Sequence, residues 1–316
     1  MHLNQLHYFI ELHRQGNFIK AAGKLGITQP ALSLQIKNLE EELDFKLIDR
    51  NSRPLRLTPE GEIFYQKALE ITRMVDELKT LSGTLQEEVK GTLRIGIIPT
   101  LAPYLVPLFI NPVSREYPDL YLEITELKTE AIIQRLKNGS LDCGLLSTPL
   151  QTKGILFRPL FYERFFLYVS GKHPLAAAAA VDLKTFDPDE IWYLEEGNCF
   201  QNQVNSLCSL SEKPRKNQRL TYRSNSLESL RHIVESRKGA TFLPELATID
   251  IPSESEELVK PVKGTQPVRE ISLALSKMHN KERLTEAFVK VVLENIPSRM
   301  KIKPESPVVD TLLKVK

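Results

Sequence analysis

From Pro59 to Lys90 the chain carries a single helical pattern, with no proline after Pro59 and no glycine between Gly61 and Gly83. Within it Phe64, Ala68, Ile71, Val75, Leu78, Ser82, Leu85 and Val89 alternate four and three residues apart. That is a heptad seam over about four repeats, with one polar member at Ser82. Two readings stand: an amphipathic helix packed on its own domain, or a linker helix that pairs with a second copy of the chain. The strict spacing favours the linker. Gly91 ends the pattern, so the chain divides into residues 1–58, a linker/dimerisation helix at 59–90 and a larger remainder.

A chain of 316 residues has room for two or three domains. With 41% hydrophobic and 26% charged residues it reads as soluble and globular. The net charge is only +2, so any nucleic-acid surface must be local. No apolar run reaches the roughly 18 residues of a membrane span. Met1 to Leu12 lacks a basic leader followed by an apolar block, so no secretory signal is expected and the cytoplasm is the expected compartment. The three cysteines, Cys143, Cys199 and Cys208, are too few for a secreted disulfide scaffold. In a cytosolic chain such a pair is inert, metal-binding or redox-active. The six histidines and three cysteines show no zinc-finger spacing, so neither metal nor cofactor is expected. The sequence has no glycine-rich phosphate loop and no nucleophile elbow, and is not expected to be an enzyme.

Beyond Gly91 short β-rich runs alternate with helical patterns. Strands are expected at Thr92–Ile98, Leu120–Leu127 and Cys143–Ser147, and helices at Leu101–Tyr117 and Glu130–Asn138. This alternation implies βαβ units on a parallel sheet. Further strands are expected near Arg164–Ser170, Ile191–Leu194, Arg219–Arg223, Thr241–Leu243 and Ile271–Ser276, with helices near Leu227–Arg237 and Lys281–Glu294. A late strand before a terminal helix fits a two-lobed α/β domain at 91–298 whose chain crosses twice between lobes. The crossings fall near Tyr162 and Pro267, giving lobe I as 91–162 and 267–298 and lobe II as 163–266. Residues 299–316 mix Lys, Pro and Ser and read as a flexible tail. Cys143, in a buried-strand pattern, reads as an inert core thiol.

The amino-terminal segment carries the first strong motif. Ala21, Ala22 and Leu25 suit a short helix, Gly26-Ile27 a tight turn, and Thr28 an N-cap, with Pro30 in the first turn of the next helix. Leu32, Ile36, Leu39 and Leu43 recur at helical spacing and face a core, which leaves Gln29, Ser33, Gln35 and Lys37 largely to other faces. Two helices joined by a tight turn make a helix-turn-helix, whose second helix fits the major groove of double-stranded DNA. Gln and Ser bond base edges there. Arg50, Arg53 and Arg56 follow at steps of three. They read either as a solvated basic hairpin or as a wing that contacts phosphates.

These residues resemble a known family. Phe18, Ala21-Ala22, Leu25, Thr28-Gln29-Pro30-Ala31, Ser33, Ile36, Leu39-Glu40 and Leu43 match the LysR-type winged helix-turn-helix signature. Phe45, Leu47, Arg50, Arg53, Leu57-Thr58 and Gly61 extend the match. Asp44 stands where the family usually has Gly, and Ile48 where Phe is common. The resemblance runs the length of the chain. It implies an α-helical winged helix-turn-helix domain, a long linker helix and an α/β effector domain similar to periplasmic binding proteins. It also implies a homodimer or homotetramer on promoter DNA that works through RNA polymerase.

Most members of that family bind a small metabolite between the lobes. Here Cys199 and Cys208 stand nine residues apart, with Glu195-Glu196-Gly197-Asn198 before the first. This pattern resembles the sensor segment of the OxyR group. The resemblance implies that Cys199 reacts with hydrogen peroxide, that Cys208 resolves it to a disulfide, and that a thioredoxin- or glutaredoxin-type reductant resets the pair. If the segment is helical, the two Cα atoms lie about 13.5 Å apart. A disulfide needs roughly 4.4–6.8 Å, so the bond can close only if the segment unfolds and repacks. A helix start at Cys199 is expected to stabilise the thiolate. Thr100 and Thr129 each follow a strand and precede a helix. Each is either an N-cap or, as the OxyR resemblance implies, part of the peroxide site. Asn198 takes the place of the His of better-known members; it hydrogen-bonds but does not titrate near neutrality.

Three other readings remain open. A LysR-type regulator of a small organic metabolite would leave the cysteines incidental. A thiol peroxidase would have no use for the unit at Thr28–Leu43. A solute-binding module would not need the basic hairpin.

Overall fold

The computed structural model describes residues 1–49, 52, 55–84, 89–183, 190–195, 199–208, 222 and 224–315, apart from the side chains of 73, 76–77 and 79–84. The chain forms two compact units, Met1–Glu88 and Val89–Lys316.

The first unit is built from α1 (Leu3–Gln15), α2 (Phe18–Leu25), α3 (Gln29–Leu43), β1 (Ile48–Asp49), β2 (Arg56–Leu57) and α4 (Pro59–Thr84). Its helix boundaries follow from side-chain chemistry. Asn17 Oδ1 accepts from the Ile19 and Lys20 amides at 2.8 and 3.2 Å and starts α2. Gly26, at φ +68°, ends α2 in the left-handed region. Thr28 Oγ1 accepts from the Ala31 amide at 3.3 Å and starts α3. Leu6, Phe9, Leu12, Ala21, Leu32, Ile36, Leu39, Leu47, Tyr65 and Ala68 form one apolar core. The short ribbon is antiparallel, with Ile48 opposite Leu57 and Asp49 opposite Arg56. The buried Glu40 carboxylate holds its start by accepting from the Leu47 and Ile48 amides at 2.9 and 3.3 Å. Asp44 occupies the left-handed region at φ 58°, which explains why glycine is usual there.

Both readings of the long helix have a counterpart in α4. Its first turns bury Tyr65 and Ala68 in the core of the unit. Further along, the seam residues Ile71 and Leu78 are 39% and 66% exposed, and Met74 beside them is 57% exposed, which leaves this stretch of apolar surface uncovered within one chain.

The second unit contains β3 (Gly91–Ile97), α5 (Ala102–Glu116), β4 (Leu120–Glu126), α6 (Thr129–Lys137), β5 (Cys143–Thr148), β6 (Ile155–Val169), α7 (Cys199–Leu207), α8 (Leu227–Ser236), β7 (Ala240–Pro244), β8 (Val259–Pro261), β9 (Val268–Ser276) and α9 (Glu282–Glu294). The strands run in the order β4-β3-β5-β9-β6-β7, with β8 beside β6. The fifteen-residue β6 joins the two lobes. Its first part, through Arg164, pairs with β9, and from Phe165 onward it pairs with β7.

The βαβ alternation holds at β4-β3-β5, which pair in parallel; the later strands β9, β6, β7 and β8 pair antiparallel. Two expectations need correction. Ile191–Leu194 makes one bridge, Ile191 to Ala240, rather than a strand. Of the strand expected at Arg219–Arg223, only Tyr222 is described. Residues 299–315 are not a loose tail: Met300, Val309, Thr311 and Val315 are buried. Val308 bridges Val268 and Lys314 bridges Gln151. Val309, Thr311 and Val315 alternate with exposed Asp310, Leu312 and Lys314, a period of two that the Lys/Pro/Ser content of the preceding residues hides.

Candidate functional site

Cys199 is the first residue of α7 and is 3% exposed. Its Sγ lies 3.1 Å from Oγ1 of Thr129, the first residue of α6. Neither threonine is an N-cap: that position falls to Lys128 before α6 and to Leu101 before α5. The Thr129 hydroxyl is thereby free to serve the sulfur. Thr100 sits in the turn after β3, is 1% exposed, and presents its hydroxyl to Arg269.

Arg269 escaped sequence reasoning and lies at the centre of the site. It is 0% exposed on β9, directly opposite Glu163 of β6 in the sheet register. Its Nε donates to Glu163 Oε2 at 2.7 Å, Nη1 to Thr100 Oγ1 at 3.0 Å and Nη2 to the Thr100 carbonyl at 3.1 Å. The guanidinium also lies 5.1 Å from the centre of the Phe200 ring, which stacks on Phe165 at 5.3 Å. One buried cation thus ties the turn carrying Thr100 to the residue after Cys199. The signal available in sequence was a charge at an inward strand position, a pattern that demands a partner.

At the edge of the site Lys128 pairs with Glu195 at 3.0 Å. Asn225 Nδ2 donates to the same carboxylate at 2.8 Å. Tyr104, on α5, donates to Glu228 on α8 at 2.8 Å.

Burial pushes the Cys199 thiol up to about 11; the Thr129 hydrogen bond and the Arg269 charge pull the other way, while Glu130 adds to the rise. The helix start favours the thiolate as expected, through the backbone amide of Cys199, but desolvation outweighs it. Burial likewise raises Cys208 to about 12 and Cys143 well above the ordinary thiol range. All three thiols are unbonded. Cys208 directly follows α7, and its amide still donates to the Val204 carbonyl at 3.1 Å. Nine helical steps put the two Cα atoms about 13.5 Å apart, well beyond the reach of a disulfide.

In the first unit Thr28, Gln29, Pro30 and Lys37 are exposed, and Ser33 and Gln35 are half-buried. Lys37 makes a 3.3 Å ion pair with Glu41. Leu34, not singled out from sequence, is 54% exposed on α3. Arg56 is exposed on β2, while Arg50, Arg53 and Asn198 lie outside the described residues. Among the described residues no helix is long and apolar enough to cross a membrane, and no group of His, Cys, Asp and Glu side chains converges as a metal site.

A helix-turn-helix unit followed by a two-lobed sensor unit defines a DNA-binding transcription regulator. Residues 3–62 match the family described as bacterial regulatory helix-turn-helix protein, lysR family, and residues 86–297 match the LysR substrate binding domain. The chain belongs to the LysR family, and within it resembles OxyR. A "hydrogen peroxide-inducible genes activator" of Haemophilus influenzae is 31% identical over 303 residues, 94% of this chain and 100% of that protein. A full-length OxyR variant from Pseudomonas aeruginosa matches with a TM-score of 0.80 at 28% identity, covering 96% of this chain and 99% of that one. An H2O2-bound OxyR mutant from Corynebacterium glutamicum matches with a TM-score of 0.59 at 27% identity, covering 93% and 92%.

Proposed function

We propose that this protein is a cytoplasmic transcription regulator that senses hydrogen peroxide at Cys199 and records it as a Cys199–Cys208 disulfide. The observation that carries this reading is the buried Cys199 sulfur held 3.1 Å from the Thr129 hydroxyl at the start of a helix, with a second thiol at its other end.

The chemistry balances in two steps. The Cys199 thiolate attacks one peroxide oxygen, the O–O bond breaks, and the leaving hydroxide takes a proton to become water, leaving a sulfenic acid. The Cys208 thiolate then attacks that sulfur, the S–O bond breaks, and a second hydroxide leaves as water. The two sulfurs lose two electrons in total and peroxide gains them. Thr129, Thr100 and Asn198 supply hydrogen bonds to peroxide and the departing oxygen. A thioredoxin- or glutaredoxin-type dithiol returns the two electrons. Each molecule is thus a switch that fires once per reduction rather than an enzyme.

Thr28, Gln29, Pro30, Ser33, Gln35 and Lys37 face the major groove of promoter DNA, and Arg50, Arg53 and Arg56 contact phosphates beside it. The uncovered Ile71, Met74 and Leu78 stripe on α4 pairs with a second copy, giving a dimer that assembles further into a tetramer. Refolding of α7 changes that assembly, the spacing of the DNA-binding heads and the contact with RNA polymerase.

The test is mass mapping of thiols before and after brief peroxide exposure, with DNA footprinting on the same samples. A Cys199–Cys208 bond accompanied by an altered footprint is the expected result. An unaltered promoter response in Cys199→Ser protein would overturn the reading and favour a metabolite in the cleft.

A further inference from the structure

The chemistry of Cys199 does not require Gln203 to be buried, yet it is 0% exposed. Its Nε2 donates to the Val309 carbonyl at 2.7 Å, and its Oε1 accepts from Ser147 Oγ at 3.3 Å. One residue earlier on α7, Asn202 Nδ2 donates to the Thr311 carbonyl at 3.1 Å. Both acceptors belong to the carboxyl-terminal segment.

That segment is anchored on its other sides. The Val309 amide donates to the Val268 carbonyl at 2.9 Å, and the Val268 amide to the Pro307 carbonyl at 3.1 Å. Thr311 Oγ1 donates to the Pro149 carbonyl at 2.6 Å, and the Val315 amide to the Gln151 carbonyl at 3.1 Å. The terminal segment is thereby fastened to the residue before Arg269, to the loop after β5, and to the polar face of the helix that separates the two cysteines.

We propose that residues 307–315 are a clamp on the sensor helix, with Gln203 and Asn202 as positioning residues, and that closing the Cys199–Cys208 bond requires this clamp to open. The inference rests on the peroxide-sensing reading above. Asn202 and Gln203 lie between the two cysteines, on the part of α7 that must unwind for the sulfurs to meet. Once it unwinds, the two amides leave the Val309 and Thr311 carbonyls, and buried carbonyls without donors are costly. The segment then loses its contacts with α7. Oxidation of Cys199 needs no such movement, because the thiol reacts where it stands. The clamp therefore opposes the second chemical step and leaves the first untouched, and so sets how long the sulfenic acid persists before the switch commits.

The experiment uses the full chain, a chain ending at Lys303, and a full chain carrying Gln203→Met, which keeps the side chain's bulk and removes its donor. Sulfenic acid at Cys199 is trapped with dimedone to time the first step, and mass mapping of the disulfide times the second. Hydrogen exchange of residues 307–315 is read in the reduced and bridged forms of the unaltered protein. The expected result is protection in the reduced form and its loss on bridging. In both altered proteins bridging is about tenfold faster, and the thiol–disulfide equilibrium shifts toward the bridge by about tenfold, about 30 mV for a two-electron couple. The first step stays within about twofold. Full protection of 307–315 in bridged unaltered protein overturns the clamp alone, as does slowing of both steps together. Failure of the unaltered protein to form the bridge overturns the sensor reading itself, and the clamp with it, whereas failure of the altered proteins alone overturns only the clamp.

Discussion

Thr129 and Cys199 lie 70 residues apart in sequence and 3.1 Å apart in space, the hydroxyl of one helix start against the sulfur of another. A hydroxyl so placed donates to the thiolate when it forms and thereby favours it, against a burial that disfavours it. The sign fixes the pH dependence. With the thiol raised to about 11, the reactive thiolate is a small fraction at neutral pH. The rate of Cys199 oxidation should climb about tenfold per pH unit between about 7 and 10 and level off only above about 11. In Thr129→Val protein the profile moves to higher pH and the rate at pH 7 falls about tenfold. Stopped-flow oxidation across pH measures both. A flat profile in the unaltered protein would show that the sulfur is not governed by this burial.

The Glu163–Arg269 pair is fully buried. Removing one partner from such a pair leaves an uncompensated charge, at a cost of about 3–5 kcal/mol. Glu163→Ala is therefore expected to lower the urea midpoint of the second unit strongly. Arg269→Met, which leaves the carboxylate free to take a proton, should destabilise less. Arg269→Met should also slow Cys199 oxidation, since the cation that favours the thiolate is gone. Urea unfolding and oxidation kinetics on the two variants separate the structural effect from the chemical one.

In the first unit, a Cβ added at Gly61 would stand 2.1 Å from the Leu47 backbone carbonyl. Gly61→Ala must push the ribbon away from α4, at a cost of about 1–3 kcal/mol. DNA affinity should fall while peroxide oxidation of Cys199 is unchanged. Asp44→Gly has the opposite sign: it relieves a left-handed residue and should stabilise the unit by about 1 kcal/mol. Thermal unfolding and operator binding of the two variants check the pair of signs.

The helix-turn-helix was legible because its boundaries are local: Asn17, Gly26 and Thr28 act within three residues of themselves. Cys199 and Cys208 stood out by their spacing and neighbours, and the structure places them at the start of α7 and just after its end. Arg269 was not, because its meaning depends on Glu163, 106 residues away, and on the register that sets β6 against β9. The antiparallel part of the sheet was not legible for a related reason. Periodicity marks a strand but not its direction, and βαβ alternation holds only as far as β5. The anchoring of the terminal segment was hidden by composition, although Val309, Thr311 and Val315 already carried a two-residue alternation of burial. The two threonines were ambiguous in sequence because a residue between strand and helix serves equally as cap or ligand; Lys128 and Leu101 took the cap positions instead.

The α4 seam permits a last prediction. Leu78 is 66% exposed and Ile71 39%, one heptad apart on the same face. In a lone helix a Leu78→Lys change would be neutral or slightly favourable, because it replaces exposed apolar surface with charge. In a paired seam it places two like charges where two leucines met, and the association weakens by orders of magnitude. Sedimentation of Leu78→Lys protein should therefore show dissociated chains at concentrations where the unaltered protein is paired. The lone chain keeps its DNA-binding unit folded, since the core around Tyr65 and Ala68 is untouched. Its affinity for a single half-site should persist while that for the full operator collapses. Unchanged sedimentation would place the contact between copies elsewhere and leave α4 as a support for its own domain only.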